Sequence, residues 1–97
     1  MSTYISLVSY TQQGIGKIKD SPGRMDAARK LAVSMGGNIE AVFLTMGRYD
    51  GVVISEFPDD ATYAKFMLSV VSSGFMSTET LKALKEVEFR QIIGSIG

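Results

Sequence analysis

Hydrophobic and polar positions change period several times along this chain. From Tyr4 to Tyr10 the residues fall into two alternating sets, Tyr4, Ser6, Val8, Tyr10 and Ile5, Leu7, Ser9. Aromatic and β-branched types dominate, which predicts a strand with apolar groups on both faces. Thr11 to Lys19 predicts only a short turn of helix, interrupted at Asp20-Ser21-Pro22. There Ser21 has the chemistry of an N-cap and Pro22 that of a first helical residue. Met25, Ala28, Leu31, Ala32 and Met35 then recur at helical spacing until Gly36-Gly37 stop the helix.

Strand character returns over Asn38 to Met46, a tight connection follows at Gly47-Arg48, and Tyr49 to Phe57 predicts a second strand, so the pair forms a hairpin. Pro58-Asp59-Asp60 turns the chain, with an Asp as N-cap for a helix over about 61–71. The inward stripe expected there is Ala64, Met67, Leu68 and Val71, and Ser72-Ser73-Gly74 end it. The last strand falls within Phe75 to Leu84, and Phe89, Ile92, Ile93 and Ile96 are spaced for a terminal helix. The order βαββαβ plus a C-terminal helix defines an α+β, ferredoxin-like chain, with an antiparallel sheet carrying both main helices on one face. The other face is left bare. Its residues come from Tyr4, Ser6, Val8, Tyr10 with Tyr49, Gly51, Val53, Ser55, or from their opposite-parity neighbours. It is too apolar to stand in water, so a second copy is expected to cover it and close a cavity between two sheets.

Length and composition narrow the chemistry. At 97 residues a single core and a single domain, 1–97, are expected. Ten basic residues balance ten acidic ones, so the basic footprint of a nucleic-acid binder is missing. The chain has no Cys and no His. That removes disulfides, thiolate and imidazole metal sites, iron–sulfur and haem ligation, cysteine nucleophiles and any Ser-His-Asp triad. No cofactor and no metal are therefore expected. No signal peptide and no membrane span are read, which makes a cytoplasmic address the expectation.

The segments YISLVSYTQQGIGKIKDSPGRMDAARKLAVSMGGNIEAVFLTMGRYDGVVISEFPDDATYAKFMLSV and GFMSTETLKAL closely resemble the GYD-domain family of small bacterial and archaeal proteins. The signature stands as Gly47-Arg48-Tyr49-Asp50. It is supported by Tyr10-Thr11 with Gly14, Ser21-Pro22 with Arg24, Gly36-Gly37 and Thr78-Glu79-Thr80. The resemblance covers nearly the whole chain and implies a dimeric α/β barrel. A similar Gly-x-Tyr-Asp hairpin occurs in effector-binding domains of leucine-responsive and AsnC-type regulators. The wider superfamily includes cofactor-free monooxygenases, muconolactone isomerase-like enzymes and haem-handling enzymes, so the resemblance carries fold but not activity. Phe75-Met76-Ser77 departs from the small polar loop more usual there, which implies a greasier entrance to any cavity that it rims.

Several side chains are candidates for a site, each beside a plain structural alternative. Asp50 is a possible general base and Tyr49 or Tyr10 a hydrogen-bond donor. Alternatively, Asp50 caps the hairpin and Tyr49 packs at an edge of the core. Arg24 opposes the helix dipole and needs a partner. With Arg48 and Lys17 or Lys19 it would bind an anion; otherwise it pairs with Asp20, Asp50 or a carboxylate of another copy. Tyr4, Ser6 and Tyr10 offer hydroxyls to a ligand or to a dimer interface. Glu56 is read as solvated and the six methionines as core filler. Two functions remain open: a homo-oligomeric module that holds a small apolar metabolite or simply assembles, and a cofactor-independent monooxygenase or isomerase acting on an enolisable molecule.

Overall fold

In the computed structural model, which describes residues 1–97, the elements are β1 (Ser2–Tyr10), α1 (Gln12–Gly16), a 3₁₀ turn (Ile18–Asp20), α2 (Ser21–Ser34), β2 (Asn38–Leu44), β3 (Gly51–Phe57), α3 (Asp60–Val71), β4 (Met76–Ala83) and α4 (Glu86–Gly94). The four strands lie in the order β2-β3-β1-β4 and every neighbouring pair is antiparallel. This is the α+β ferredoxin-like arrangement, with a C-terminal helix added. No helix is long and apolar enough to cross a membrane.

Parity decides which face of the sheet does what. Tyr4, Ser6 and Val8 are buried beneath the helices, and their partners across the ladder are Ser55, Val53 and Gly51 on β3 and Lys82, Thr80 and Thr78 on β4. The opposite-parity set, Ile5 and Leu7 facing Ile54 and Val52, with Leu81 and Phe43 beside them, forms the open face. Leu81 and Phe43 are each about half exposed there. So the first of the two sets proposed from sequence points inward, and the open face belongs to its neighbours. Its apolar character stands.

The core is aromatic. Tyr4 stacks on Tyr63 at 4.1 Å, and Phe57, fully buried, meets Tyr63 edge-on at 5.5 Å and Phe66 at 4.9 Å. In α3 the inward stripe is therefore Tyr63, Phe66, Met67 and Val70, while Ala64 and Leu68 face solvent. The stripe is rotated by one residue from the expected one, because burying two aromatic rings removes more apolar area than burying Ala64 and Leu68. Asp59 caps α3 by accepting the Thr62 N–H at 2.8 Å.

The start of α2 differs from expectation. Ser21 is already helical, Asp20 occupies the cap position without a side-chain bond, and the Ser21 N–H donates to the Ile18 carbonyl. The 3₁₀ turn runs straight into the helix, so the Ser21 hydroxyl is not required as a cap. At the other end Gly36 takes φ 78° and the Gly37 N–H returns to the Ala32 carbonyl at 2.8 Å, a left-handed stop that glycine adopts without strain. In β2, Glu40 is an extra residue between Ile39 opposite Ser55 and Ala41 opposite Ile54. That bulge leaves Ile39 and Val42 on the same face although they are three residues apart.

α4 stands apart. None of its residues is buried, and Val87, Phe89, Ile92 and Ile93 remain about half exposed or more. Its root is fixed by an ion pair from Lys85 Nζ to Glu56 Oε2 at 2.6 Å. Glu56 is thus not a solvated carboxylate, and Lys85 holds it below the usual carboxylate range. Three methionines pack on the core as expected (Met25, Met35, Met67), whereas Met1 and Met46 are exposed.

Candidate functional site

A groove of about 590 Å³ opens between α2 and the helix-covered face of the sheet. Val8, Met25, Ala28, Leu31, Val53 and Val70 are among its apolar walls, and Tyr10, Arg24 and Asp50 line it with polar groups. The space exists because both α2 and the facing strands present small or flexible residues there: Ala28 on the helix, Gly51 on β3, Met25 and Met76 around them. A smaller void of about 30 Å³ continues inward, sharing Val8, Met25, Ala28, Val53, Val70 and Met76 with the groove and reaching Ser6 and Ser55. This groove is on the helix side of the sheet and within one chain, whereas the expected cavity lies between the sheets of two copies. Parity is the reason, since it turns Val8 and Val53 under the helices.

Asp50 lies in the connection between β2 and β3, just ahead of the strand that was expected to contain it. Its Oδ2 accepts the Tyr10 N–H at 2.9 Å, its N–H donates to the Val8 carbonyl at 2.8 Å and its carbonyl accepts the Thr45 N–H at 3.0 Å. The carboxylate thus caps the end of β1 rather than its own turn, and it does so from the lining of the groove. Because Tyr49 and Asp50 are outside the ladder, strand alternation does not govern them. Tyr49 instead reaches β4 and donates its hydroxyl to Glu79, whose carboxylate pushes the phenol up. Glu79 pairs with Leu7, so Tyr49 belongs to the open-face side and not to the groove.

Arg24 makes no ion pair. Its guanidinium lies 4.3 Å from the centre of the Phe75 ring and donates to the Lys17 carbonyl at 3.1 Å. Both expected carboxylate partners within the chain, Asp20 and Asp50, are left aside. Phe75 and Met76 do line the groove and add apolar surface beside Arg24. Arg48 is exposed on the hairpin with its guanidinium 5.7 Å from the Tyr49 ring, outside the groove lining. It is not brought together with Arg24.

Tyr4 and Ser6 are core groups. The Tyr4 hydroxyl donates to Asp60 Oδ1 at 2.6 Å; burial first, and this bond second, raise its pKa, while the same bond and then Lys82 lower that of Asp60. The Ser6 hydroxyl is 2.6 Å from the Tyr63 hydroxyl, which is 2.7 Å from that of Thr80, a chain of three hydroxyls through the core. From sequence Asp60 reads only as part of a turn and Thr80 only as part of the family signature, and Tyr63 is not singled out. An acidic residue following an N-cap Asp, one turn before an aromatic pair, is the signal that was available. Ser55, offered from sequence as an open-face residue, is instead buried, 1% exposed, and its hydroxyl has no partner. No group of acidic residues is arranged to hold a metal ion.

An antiparallel four-stranded sheet with helices over one face and the other face apolar and open makes this an α+β, ferredoxin-like chain. The chain belongs to the GYD domain family, which it matches over residues 4–93. It is 33% identical over 85 residues, 87% of this chain and 90% of the relative, to a glutamine synthetase and cystathionine beta-lyase binding protein from Thermus thermophilus. Among solved structures it is similar to a hypothetical protein from Pyrococcus horikoshii, with TM-score 0.55 at 17% identity over 89% of this chain and 93% of that one. It is also similar to the 5-chloro-2-hydroxyhydroquinone dehydrochlorinase of Burkholderia phenoliruptrix in complex with 2,5-dihydroxybenzoquinone, with TM-score 0.61 at 12% identity, covering 91% and 98% of the two chains. At such identities these two likenesses concern fold, not chemistry.

Proposed function

We propose that the protein is a self-associating binding module that holds a small, mainly apolar ligand in the groove between α2 and the sheet. The observation that carries this reading is the groove itself: about 590 Å³, within the size range of small-molecule sites, with apolar walls and a few polar groups at one end. The open face of Ile5, Leu7, Val52 and Ile54 supports self-association, because a contiguous apolar sheet surface is costly to leave in water. The Thermus relative is named for binding two enzymes, which supports a role in recognising protein partners. Native mass spectrometry of gently purified protein tests both parts. A dimer or higher oligomer carrying a co-purifying mass is expected; a ligand-free monomer at micromolar concentration would end this reading.

One observation favours a second reading, a cofactor-independent enzyme acting on an enolisable molecule. Asp50 lines the groove with only Oδ2 engaged, by the Tyr10 backbone N–H, and Tyr10, which carries a phenol hydroxyl, is also in the lining. A base and a donor suffice for proton abstraction next to a carbonyl. The dehydrochlorinase that shares the fold, with its bound dihydroxybenzoquinone, shows that such a scaffold accommodates quinone-like molecules in that protein. Solvent deuterium exchange into a cyclic 1,3-diketone, accelerated by the wild type and not by Asp50→Asn, is the result expected on this reading.

A further inference from the structure

The two ends of the cavity differ in chemistry, and each end has a group that the fold does not use. At the mouth, the Arg24 guanidinium lies over the Phe75 ring with one N–H on the Lys17 carbonyl and no carboxylate partner. A guanidinium has five N–H donors, so most remain for a ligand. At the inner end, Ser55 has a hydroxyl that is 1% exposed and without a hydrogen-bond partner. A buried hydroxyl left unsatisfied is unfavourable, and native structures rarely keep one without a ligand or a water to meet it. The inner void of about 30 Å³ beside Ser55 has room for one water or one hydroxyl-sized group.

The length of the cavity along β3 follows from strand geometry. Gly51, at the groove, and Ser55 are on the same strand four residues apart, which is about 13 Å at roughly 3.3 Å per residue. Between them the walls are Val8, Val53, Met25, Ala28 and Val70, with no charge. We infer that the ligand of this groove is an elongated amphipathic carboxylic acid: the carboxylate meets Arg24, an apolar and preferably aromatic body fills the groove, and a hydroxyl at the far end meets Ser55. Asp50, on the same lining, is tied by Oδ2 to the Tyr10 N–H, and its negative charge disfavours acids whose carboxylate strays from Arg24. This inference rests on the groove being a ligand site and adds the class of ligand.

Calorimetric titration of the full chain with three probes tests it: 3-(4-hydroxyphenyl)propionate, its primary amide, and 3-phenylpropionate. The hydroxy acid is expected to bind about tenfold tighter than either analogue, the scale of one charge-assisted or one otherwise unmade buried hydrogen bond. Arg24→Gln should erase the difference between acid and amide, and Ser55→Ala the difference made by the phenol hydroxyl. Ser55→Ala removes an unpartnered group and should fold at least as well as wild type, so it is usable even where Arg24→Gln is unstable. Equal binding of all three probes by the wild type would overturn this inference while leaving the groove a site for apolar ligands. No binding of any probe would overturn it together with the groove reading on which it rests.

Discussion

The Asp50 carboxylate accepts the backbone N–H of Tyr10 at 2.9 Å, while the Asp50 N–H donates to the carbonyl of Val8. Two residues that are 40 apart in sequence thereby close the end of β1 against the β2–β3 connection. Removing the acceptor in Asp50→Ala strands the Tyr10 N–H and should cost about 1–3 kcal/mol. In a chain of this size that lowers Tm by several degrees, readable by calorimetry. Asp50→Asn keeps an acceptor oxygen and should lose much less, which separates the structural role from any role as a base.

Phe57 is the centre of the aromatic core, touching Tyr4, Tyr63 and Phe66. Phe57→Ala should cost about 3–5 kcal/mol, a large part of the whole stability of a small fold. Urea denaturation is the direct measurement, and a loss below 1 kcal/mol would contradict the packing described.

Gly14 sits in α1 where a Cβ would come within 2.0 Å of the Phe75 carbonyl oxygen. The contact is with backbone, so no side chain can move aside. Gly14→Ala should therefore push α1 off the Gly74-Phe75 turn, lower Tm and widen the mouth of the groove. Gly16→Ala, with nothing within 4 Å of the added methyl, serves as the matched control and should be neutral or slightly stabilising.

Three carboxylates are held below their ordinary range: Glu56 by Lys85, Asp59 by Thr62 and Asp60 by Tyr4. In each case the unfolded chain takes up protons at a pH where the folded chain does not. Their stabilisation is present above the unfolded carboxylate values of about 3.9–4.3 and is lost as pH falls below them. At the alkaline end Tyr4, Tyr49 and Lys85 are raised, so their contribution is complete below about pH 10 and disappears as pH rises through the folded values. A plot of Tm against pH should thus fall at both ends, and Glu56→Gln should flatten the acid limb.

Ile54 lies at the middle of the open face, paired with Ile5. Under the proposed self-association, Ile54→Lys should convert the oligomer to monomer in size-exclusion chromatography with light scattering. The monomer should keep its far-ultraviolet circular dichroism, because Ile54 is outside the aromatic core. An unchanged oligomer would move the interface elsewhere on the surface.

Element order and type were readable in the residues because period and stop signals agree along the chain: alternation in Tyr4–Tyr10, helical spacing after Pro22, and Gly36-Gly37 ending it. The face of each element was harder. β1 has apolar groups at both parities, so Tyr4-Ser6-Val8 and Ile5-Leu7 compete for the core, and only the packing of Tyr4 on Tyr63 and Phe57 decides. In α3 two helical stripes one residue apart are both apolar, and the aromatic pair wins. The site was partly legible. Asp50, Tyr10 and Arg24 were singled out and line one groove, but Arg48 stands on the hairpin outside that lining, Tyr4 is spent in the aromatic core, and Ser6, on the same face of β1 as Tyr10, reaches only the inner void. The pairing of Arg24 with a ring and a carbonyl was invisible because both partners are set by tertiary contact.

The bulge in β2 has a further consequence for lineages of this chain. With Glu40 present, Asn38 and Ala41 point to one side of the sheet and Ile39 and Val42 to the other. Delete that one codon and the strand becomes regular, yet every remaining side chain keeps its side. A one-residue gap, which anywhere else in a paired strand would turn the core outward, is silent at this position. Length variation among descendants of this gene can therefore accumulate in the middle of an edge strand, where loops are ordinarily the only place for it.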